Sequence, residues 1–437
     1  MLLGKEPYVF DMSDPGTGKT RTHIEDFARR HKKSSGAALV LAPKSILQSA
    51  WGNDINTFAN HLKYNVAYAE NRKDAFDDQA DMYITNLDAA TWLAEQKPKF
   101  FNRFSHLIID ESTAYKHHTS KRAKAVAKIA KYFERRRALS GTPNPNGICD
   151  LWHQTKILDG GRRLGPSFFA FRAAVCVPIQ TGPQPNHLRW EDREGSELAV
   201  MGLLHDITIR HVLEECLDMP ENHTYSMQYV LPAKHQAYYS KLEADSILML
   251  REQKVTAVNG AVLYSKLQQA ASGAVYDENG RYVVLDEGRY EMIADLCEQR
   301  KHTLVFIQWQ HQRDLLIKQL EARGLSHMVI DGSVTGKGER DKLVDYFQKG
   351  FYRVGILHPK SAGHGLTLTR ATTSLWASPT INAEWWKQAN HRAYRAGQTQ
   401  RTETIVILAK GTIDEKIYTD NTGKVKRMSA LLQEFAA

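Results

Sequence analysis

The chain has 437 residues, of which 42% are apolar and 24% charged, and its formal net charge is +9. This length predicts two domains, and the composition is typical of a globular protein with buried cores. No run of about 18 apolar residues is present, which excludes a membrane span, and no secretion signal opens the chain. Four widely spaced cysteines indicate reduced thiols of an intracellular protein. The excess of Lys and Arg favours a polyanionic partner, nucleic acid above all.

Short apolar runs alternate with amphipathic helical patterns in the first part of the chain. The predicted strands there cover residues 8–12, 37–42, 82–85, 106–110 and 137–140. Buried strands that alternate with helices predict parallel βαβ units covered on both faces. Residues 145–285 are richer in aromatic and helical stretches, with a Pro- and Gly-rich turn at 178–186. We expect helical insertions in this middle region.

Residues 13–20, SDPGTGKT, form a candidate phosphate-binding loop. Such a loop turns successive backbone N–H groups toward a phosphate, and the N-terminus of the following helix adds positive potential. Lys19 would reach the β- and γ-phosphates, and the Thr20 hydroxyl would bind Mg²⁺. The predicted nucleotide-binding residues of the loop are Gly16, Thr17, Gly18, Lys19 and Thr20.

Two acids stand at the end of the strand HLIID, where Asp110 is followed by Glu111. A phosphate loop needs a metal-holding acid at the end of a neighbouring strand. We expect Asp110 to hold Mg²⁺ and Glu111 to polarise the attacking water as general base. Together with the loop, this pair predicts nucleotide hydrolysis.

The alternation of strands and helices returns near the C-terminus. The predicted strands there cover residues 303–307, 327–331, 353–357, 373–377 and 402–408. After the fourth of them, QANHRAYRAGQ at 388–398 carries Arg392 and Arg395 three residues apart on a helical pattern, so both project from one face. Because phosphoryl transfer uses a positive group on the transferred phosphate, both are candidate arginine fingers.

The motifs, taken in order, resemble those of superfamily 2 helicase-like ATPases, and among them the SWI/SNF-type (Snf2-like) DNA translocases in a compact form without accessory domains. SDPGTGKT is similar to their first motif, IIDESTAYKHHTSKRAKAV to the second and ALSGTPNPNGICDLW to the third. HPKSAGHGLTLTRA resembles motif V, and QANHRAYRAGQ matches motif VI at every fixed position. Ala362 and Thr367 depart from the Gly and Asn that are frequent in motif V. The family's upstream adenine-recognising segment has no counterpart before the phosphate loop, so we expect either further N-terminal residues or weaker recognition of the base.

The resemblance implies an α/β fold of two RecA-like P-loop lobes, with parallel sheets flanked by helices and helical insertions between the lobes. We expect the first, ATP-binding lobe at 1–220, with its insertion starting near 145. The second lobe would cover 221–437, with its insertion ending near 285. ATP and Mg²⁺ would bind the first lobe, and the motif VI arginines would reach them from the second.

The resemblance also implies roles for individual residues. The catalytic residues would be Glu111, Arg392 and Arg395. The ATP site would extend to Gln388 and Gly365, and Ser140 and Thr142 would couple the nucleotide to DNA. The expected DNA contacts are Lys44, Ser45, Asn86, Trp309, Lys360 and Ser361.

The function that these patterns favour is a DNA-dependent ATPase that translocates on double-stranded or branched DNA and remodels protein–DNA complexes or forks. Two alternatives stay open: a strand-separating DNA or RNA helicase, and a nucleotide-binding scaffold without turnover. We expect double-stranded or branched DNA as partner and no membrane. The expected setting is the cytoplasm, with a bacterial or viral protein acting on DNA in the host cell, or the nucleus if the protein is eukaryotic.

Overall fold

The structure is a computed structural model that describes residues 2–32, 35–180, 188–252, 257–334, 338–362 and 365–434. The chain divides into two units. The first combines Met1–Asp218 with Lys424–Ala437, and the second is Met219–Gly423. Each unit is built on a parallel β-sheet flanked by helices, which confirms the predicted α/β class with two RecA-like lobes.

Seven strands form the main sheet in the described part of the first unit, in the order β3-β4-β2-β5-β6-β1-β9, and all pair in parallel. The strands of this unit are β1 Tyr8–Asp11, β2 Ala37–Ala42, β3 Tyr64–Ala67, β4 Met82–Asn86, β5 Phe104–Asp110, β6 Arg135–Leu139, β7 Cys176–Gln180, β8 Leu188–Asp192 and β9 Thr208–Ile209. The helices are α1 Leu2–Lys5, α2 Lys19–Arg30, α3 Asn53–Phe58, α4 Arg72–Asp77, α5 Ala90–Leu93, α6 Pro98–Phe101, α7 Lys121–Ala130, α8 Cys149–Asp159, α9 Phe168–Val175, α10 Ser196–Leu204 and α11 Leu213–Cys216.

Six strands form the parallel sheet in the described part of the second unit, in the order β10-β17-β16-β13-β15-β14. The strands are β10 Asn222–Tyr229, β11 Ala274–Tyr276, β12 Tyr282–Val284, β13 Thr303–Phe306, β14 His327–Ile330, β15 Val354–Leu357, β16 Thr373–Trp376 and β17 Thr402–Ala409. The helices are α12 Ala233–Glu252, α13 Ala257–Ala271, α14 Gly288–Glu298, α15 Gln310–Ala322, α16 Glu339–Lys349, α17 Pro359–Ala362, α18 Ala383–Asn390 and α19 Ile413–Glu434.

Each main sheet separates two apolar cores, because successive side chains of a strand point to opposite faces. On β2, Leu39 and Leu41 enter one core of the first unit, whereas Val40 enters the other. In the second unit, the central strand β13 alternates in the same way between two cores. Central strands buried on both faces explain the continuous apolar runs of the sequence.

The middle region, between 145 and 285, contains strands in addition to the predicted helices. The hairpin β7–β8 and the hairpin β11–β12 both lie there, and β10 pairs in parallel with β17. Most of the turn predicted at 178–186 falls outside the described residues. The predicted helices of this region are α8–α10, α12 and α13, and the strands lie among them.

The end of the chain also differs from the predicted second lobe, which extends to residue 437. Lys424–Ala437 belongs to the first unit. The physical reason is that Met428 and Leu432 of α19 are buried in a core with Phe10 and Trp152. None of the described helices is long and apolar enough to cross a membrane.

Candidate nucleotide-binding site

Three neighbouring strands of the first unit bring the predicted ATP-site residues to one edge of the sheet. The strands β5, β6 and β1 are adjacent and parallel, so their carboxyl ends lie side by side. The phosphate loop follows β1, residues 140–142 follow β6, and Asp110 ends β5. Ligands of open α/β sheets bind at this edge. The structure therefore gathers the first lobe's predicted residues where a nucleotide would bind.

The phosphate loop has the backbone that its glycines permit. Gly16 and Gly18 have φ values of 91° and 84°, in the left-handed region that favours glycine. A Cβ atom placed on Gly18 would have no heavy atom within 4 Å, so the space above the loop is open. Inside the loop, the Thr17 hydroxyl donates to the Asp14 carbonyl over 2.8 Å. The loop is thus folded as a cradle with room for a phosphate on its outer side.

Lys19 begins α2, and its ammonium group lies against the loop. Its Nζ donates to the carbonyl oxygens of Ser13 at 2.7 Å and Asp14 at 2.9 Å. Thr20 follows in the first turn of the helix and is half-buried. A cation, an open cradle and a helix N-terminus form a donor set that fits a polyphosphate.

A buried contact between an aspartate and a histidine supports the loop from below. Asp11, the last residue of β1, has its Oδ2 3.1 Å from Nε2 of His23 on α2, and its Oδ1 accepts from the Ser13 backbone. Burial raises the pKa of Asp11, but the His23 hydrogen bond and charge outweigh it, and with the Lys19 charge they lower the pKa to about 2. Asp11 is therefore a carboxylate at neutral pH, which ties β1, the loop and α2 together.

Arg210 supports the other side of the loop and was not identified from the sequence. Its guanidinium donates to Asp14 Oδ1 at 3.0 Å and to the Met12 carbonyl at 2.7 Å. The Leu213 backbone donates to the second oxygen of the same carboxylate. A buried carboxylate that is paired in this way holds the entry of the loop in place. Because these partners lie almost 200 residues apart, no local pattern points to them.

Asp110 and Glu111 stand beside the loop with different surroundings. Asp110 is buried and accepts from Trp51 Nε1 at 2.9 Å and from the Glu111 backbone at 3.1 Å. A carboxylate has about four lone-pair positions, and its oxygens are ligands of the kind that Mg²⁺ prefers. Glu111 has φ 55° and ψ 57°, a left-handed conformation that is unusual for a residue with a side chain. Backbone strain of this kind clusters at functional sites.

The turn after β6 packs directly on the phosphate loop. The Ser140 backbone donates to the Asp11 carbonyl at 2.9 Å, and the Ser140 hydroxyl accepts from the Thr142 backbone at 3.1 Å. A Cβ atom on Gly141 would lie 2.7 Å from Pro15 Cδ, so only glycine allows this approach. A movement of the loop would therefore displace the turn that contains Ser140 and Thr142.

Gln154 joins two of the predicted motifs, and the sequence contains no pattern that indicates it. Its Oε1 accepts from the Ser112 hydroxyl at 2.7 Å, just after the acid pair. Its Nε2 donates to the Pro143 carbonyl at 2.6 Å, just after the turn that packs on the loop. The side chain is buried, so both contacts are shielded from water.

An open depression of about 440 Å³ continues from the phosphate loop along α2. Its lining includes Leu3, Gly4, Thr17, Gly18, Arg21 and Thr22. The helix α1 forms part of its wall through Leu3 and Gly4.

The motif VI residues of the second unit lie against the motif V backbone. Arg392 Nη1 and Arg395 Nη1 both approach the Leu366 carbonyl, at 3.3 and 2.8 Å. Burial lowers the pKa of the Arg395 guanidinium. Gln388 lies 3.4 Å from Glu384 in α18, and Gly365 has φ 71°. The structure thus brings all four predicted residues of this unit to one place, around motifs V and VI.

Gln398, the last fixed residue of the motif, has a structural role. Its Nε2 donates to the carbonyls of Thr369, Ala371 and Ala393, and its Oε1 accepts from the next two backbone N–H groups. These bonds connect the end of motif VI to the segment that precedes β16.

Comparison with protein families assigns most of the chain. The family model described as SNF2-related domain matches residues 12–273, more than half of the chain. The chain belongs to the SNF2-related family. The model described as Helicase conserved C-terminal domain matches residues 288–397. Together the two matched segments indicate ATP hydrolase activity and confirm the resemblance seen in the motifs.

Individual SNF2-related proteins are similar to the chain over most of its length. It is 28% identical to protein p41 of Acyrthosiphon pisum secondary endosymbiont phage 1, over 96% of this chain and 93% of that protein. It is 27% identical to YwqA of Bacillus subtilis, named as an ATP-dependent helicase/translocase, over 92% of this chain and 44% of YwqA. The solved Sulfolobus solfataricus SWI2/SNF2 ATPase core in complex with dsDNA is 21% identical with a TM-score of 0.43, over 98% of this chain and 92% of that one. The chain thus spans less than half of YwqA but nearly all of the phage protein.

The residues expected to contact DNA have different exposures in this SNF2-related chain. Lys44 and Ser45 are exposed, and the Lys44 ammonium lies 4.7 Å from the Tyr68 ring centre. Asn86 is buried at the end of β4, and its side-chain oxygen accepts from Arg72 at 3.0 Å.

In the second unit, the expected DNA contacts lie just beyond the carboxyl ends of two neighbouring strands. Trp309 is half-buried after β13, and Lys360 is exposed after β15. Ser361 is half-buried, and its carbonyl accepts from Arg340. Parallel pairing of β13 and β15 places these residues on the same edge of the sheet.

Proposed function

We propose that the chain is a DNA-stimulated ATPase that converts hydrolysis into movement along double-stranded DNA. The observation that carries the proposal is the gathering of Lys19, Asp110 and the strained Glu111 at one edge of the first sheet, beside an open phosphate cradle. Membership of the SNF2-related family supports the same chemistry. Branched DNA and protein–DNA complexes are the substrates on which such movement would act.

Each residue of the first unit has a distinct task in this proposal. Lys19 leaves the loop carbonyls and pairs with the β- and γ-phosphates, which offer it charge-assisted bonds. Thr20 and Asp110 hold Mg²⁺, which supplies charge neutralisation on the phosphate oxygens when it is bound. Glu111 accepts the proton of the attacking water. The base lies in the depression beside α1, whose open wall predicts modest selectivity between purine bases.

The second unit supplies charge stabilisation and part of the DNA contact. Arg392 and Arg395 exchange the Leu366 carbonyl for the transferred phosphate, a stronger, charged acceptor. Gln388 and Gly365 lie beside the path along which the two arginines reach the phosphate. DNA is held through its phosphates by Lys44, Ser45, Asn86, Trp309, Lys360 and Ser361, so affinity is largely independent of sequence and falls steeply with salt. Ser140 and Thr142, packed on the phosphate loop, carry nucleotide-dependent movement toward these contacts.

The test is the steady-state ATPase rate without DNA and with single-stranded, double-stranded and forked DNA. We expect duplex or forked DNA to stimulate turnover most. Glu111→Gln removes the general base and should lower kcat by at least about 100-fold. The matched control is Glu95→Gln, the same chemical change at an exposed position, which should leave the rate unchanged.

Two results would contradict the proposal in different ways. Absence of turnover with every nucleic acid, together with tight nucleotide binding, would favour a scaffold without hydrolysis. Strongest stimulation by single strands, together with release of a strand from a duplex, would favour a strand-separating helicase. Full activity of Glu111→Gln would remove the assigned role of the acid pair.

A further inference from the structure

A group of basic residues lies at the edge of the second sheet that the proposed motor does not use. All six strands are parallel, so their amino ends share one edge, opposite the carboxyl edge that carries Trp309 and Lys360. Basic residues stand before or at the start of all six strands. They are His223, Arg300, Lys301, His302, His327, Arg353, Arg370 and Arg401.

Part of this edge is concave. A cleft of about 270 Å³, here called the amino-edge cleft, opens between the starts of β10, β13, β16 and β17. Its lining is His223, Arg300, Lys301, Arg401, Glu403 and the three threonines at 372, 373 and 402. No aliphatic side chain and no Phe, Tyr or Trp lines it among the described residues.

Three cations of the cleft, Arg300, Lys301 and Arg401, outnumber the two carboxylates beside it. Glu403 pairs with Arg300 at 2.6 Å, and Glu221 lies 3.3 Å from Arg401 and 3.5 Å from His223. The second pair is mostly exposed, and such pairs contribute little and exchange readily. Lys301 is exposed, and Arg370 directs its Nε to a histidine nitrogen at 2.9 Å.

The pKa of the neighbouring His302 imidazole reflects the positive potential of this edge. Burial lowers the pKa of His302. Nearby positive charges lower it further, and they belong to Arg370, Arg353 and Lys301. The imidazole is therefore neutral at pH 7 and accepts the Arg370 hydrogen bond. A second positive charge is disfavoured here, whereas an anion would be attracted.

We propose that the amino-edge cleft binds the phosphodiester backbone of a second nucleic-acid segment, separate from the one held at the carboxyl edges. The lining favours nucleic acid over protein, because protein interfaces rely on buried aromatic and apolar anchors. Nucleic-acid interfaces are instead polar and strongly positive. Arginine forks also match phosphate oxygens in geometry. A motor with this second site would hold two DNA segments together.

The experiment measures capture of a second duplex by the full chain. A biotinylated duplex is fixed on beads with saturating protein, and a labelled duplex is added at about 0.1 M salt, where surface charges are partly screened. The test variant is Lys301→Gln with Arg401→Gln. The matched control is Lys318→Gln with Arg281→Gln, two exposed cations of the same unit that do not line the cleft.

We expect wild type and control to retain the labelled duplex, and the test variant to lose most of it. For the test variant, the slope of the logarithm of capture affinity against the logarithm of salt concentration should also be shallower by about two, one for each phosphate contact removed. Its duplex-stimulated ATPase rate should stay within about twofold of wild type, since the motor edges are unchanged. The capture readout does not require hydrolysis, so it separates this inference from the proposed ATPase activity.

Four outcomes would overturn the inference. Wild type would fail to capture a second duplex, or the test variant would capture it as well as wild type does. Equal losses in test and control variants would assign the effect to net charge alone. Binding of a polyglutamate peptide that depends on Lys301 and Arg401, without any second duplex, would assign the cleft to an acidic protein segment.

Discussion

Replacing His23 with leucine should destabilise the first unit, because it leaves the Asp11 carboxylate buried without its imidazole partner. In the wild-type chain the pKa of Asp11 falls from its ordinary value of 3.8 to about 2 although burial raises it. At about 1.4 kcal/mol per pKa unit, that fall corresponds to about 2 kcal/mol of stability at neutral pH. Because the folded pKa is depressed, this contribution is present above pH 3.8 and is lost as the pH falls toward 2.

The leucine variant should lose more than this contribution. An uncompensated buried charge typically costs 3–5 kcal/mol, and the remaining bond from the Ser13 backbone favours the lower end, about 3 kcal/mol. For a unit of this size each kcal/mol corresponds to about 2–4 °C, so the melting temperature should fall by about 6–12 °C. Differential scanning calorimetry of the full chain gives the shift, and hydrogen exchange in peptides from β1 assigns it to the first unit.

The double variant Asp11→Asn with His23→Leu isolates the charge. It should recover part of the lost stability, because a neutral amide accepts the Ser13 hydrogen bond without a buried charge. A melting temperature of His23→Leu within about 2 °C of wild type would refute the reasoning. A double variant as unstable as His23→Leu alone would refute it as well.

Three further predictions concern the same unit. Gln154→Leu breaks three buried hydrogen bonds and should lower stability by about 2 kcal/mol and reduce DNA-stimulated turnover; unchanged values of both in calorimetry and ATPase assays would contradict this. In Gly18→Ala the added methyl group contacts no other atom, so the variant should lose only about 1 kcal/mol of stability, which is the strain of a left-handed backbone on a residue with a side chain. In Gly141→Ala the added methyl group would lie 2.7 Å from the phosphate loop, so the loss of stability should be larger. Thermal melts that reverse this order would contradict the packing of Gly141 on the loop. Burial lowers the pKa of His106 to about 3 and the pKa of His153 to about 4. As the pH falls below 6.5, both imidazoles are therefore protonated in the unfolded chain while they are still neutral in the folded chain. Stability should drop by about 2 kcal/mol for each histidine between pH 7 and pH 5, and a flat calorimetric profile over that range would contradict it.

Local patterns explain which parts of the fold could be predicted. The strand at 37–42 coincides with β2, because a strand buried on both faces is a continuous apolar run. The phosphate loop was recognisable because its glycines, Lys19 and Thr20 are contiguous. By contrast, β10 is mostly exposed and pairs only with β17 in the main sheet, so it has no apolar pattern. The end of α19 could not be assigned to the first unit, since Met428 and Leu432 look like any apolar pair on a helix.

The supporting contacts of the site were beyond sequence reasoning for a different reason. Trp51 donates to Asp110 across 59 residues, and Gln154 reaches Ser112 across 42. Arg210 reaches Asp14 across 196. Such contacts depend on the order of the strands in the sheet. The order β5-β6-β1 cannot be predicted from the sequence of any one segment.

The central claim is movement on intact duplex DNA driven by hydrolysis, and displacement of a third strand from a triplex tests it most directly. The account predicts that wild-type protein with ATP and Mg²⁺ displaces the third strand while the underlying duplex stays paired. Lys19→Ala and Glu111→Gln should bind the substrate and displace nothing. Hydrolysis without displacement, or separation of the duplex strands themselves, would contradict the account.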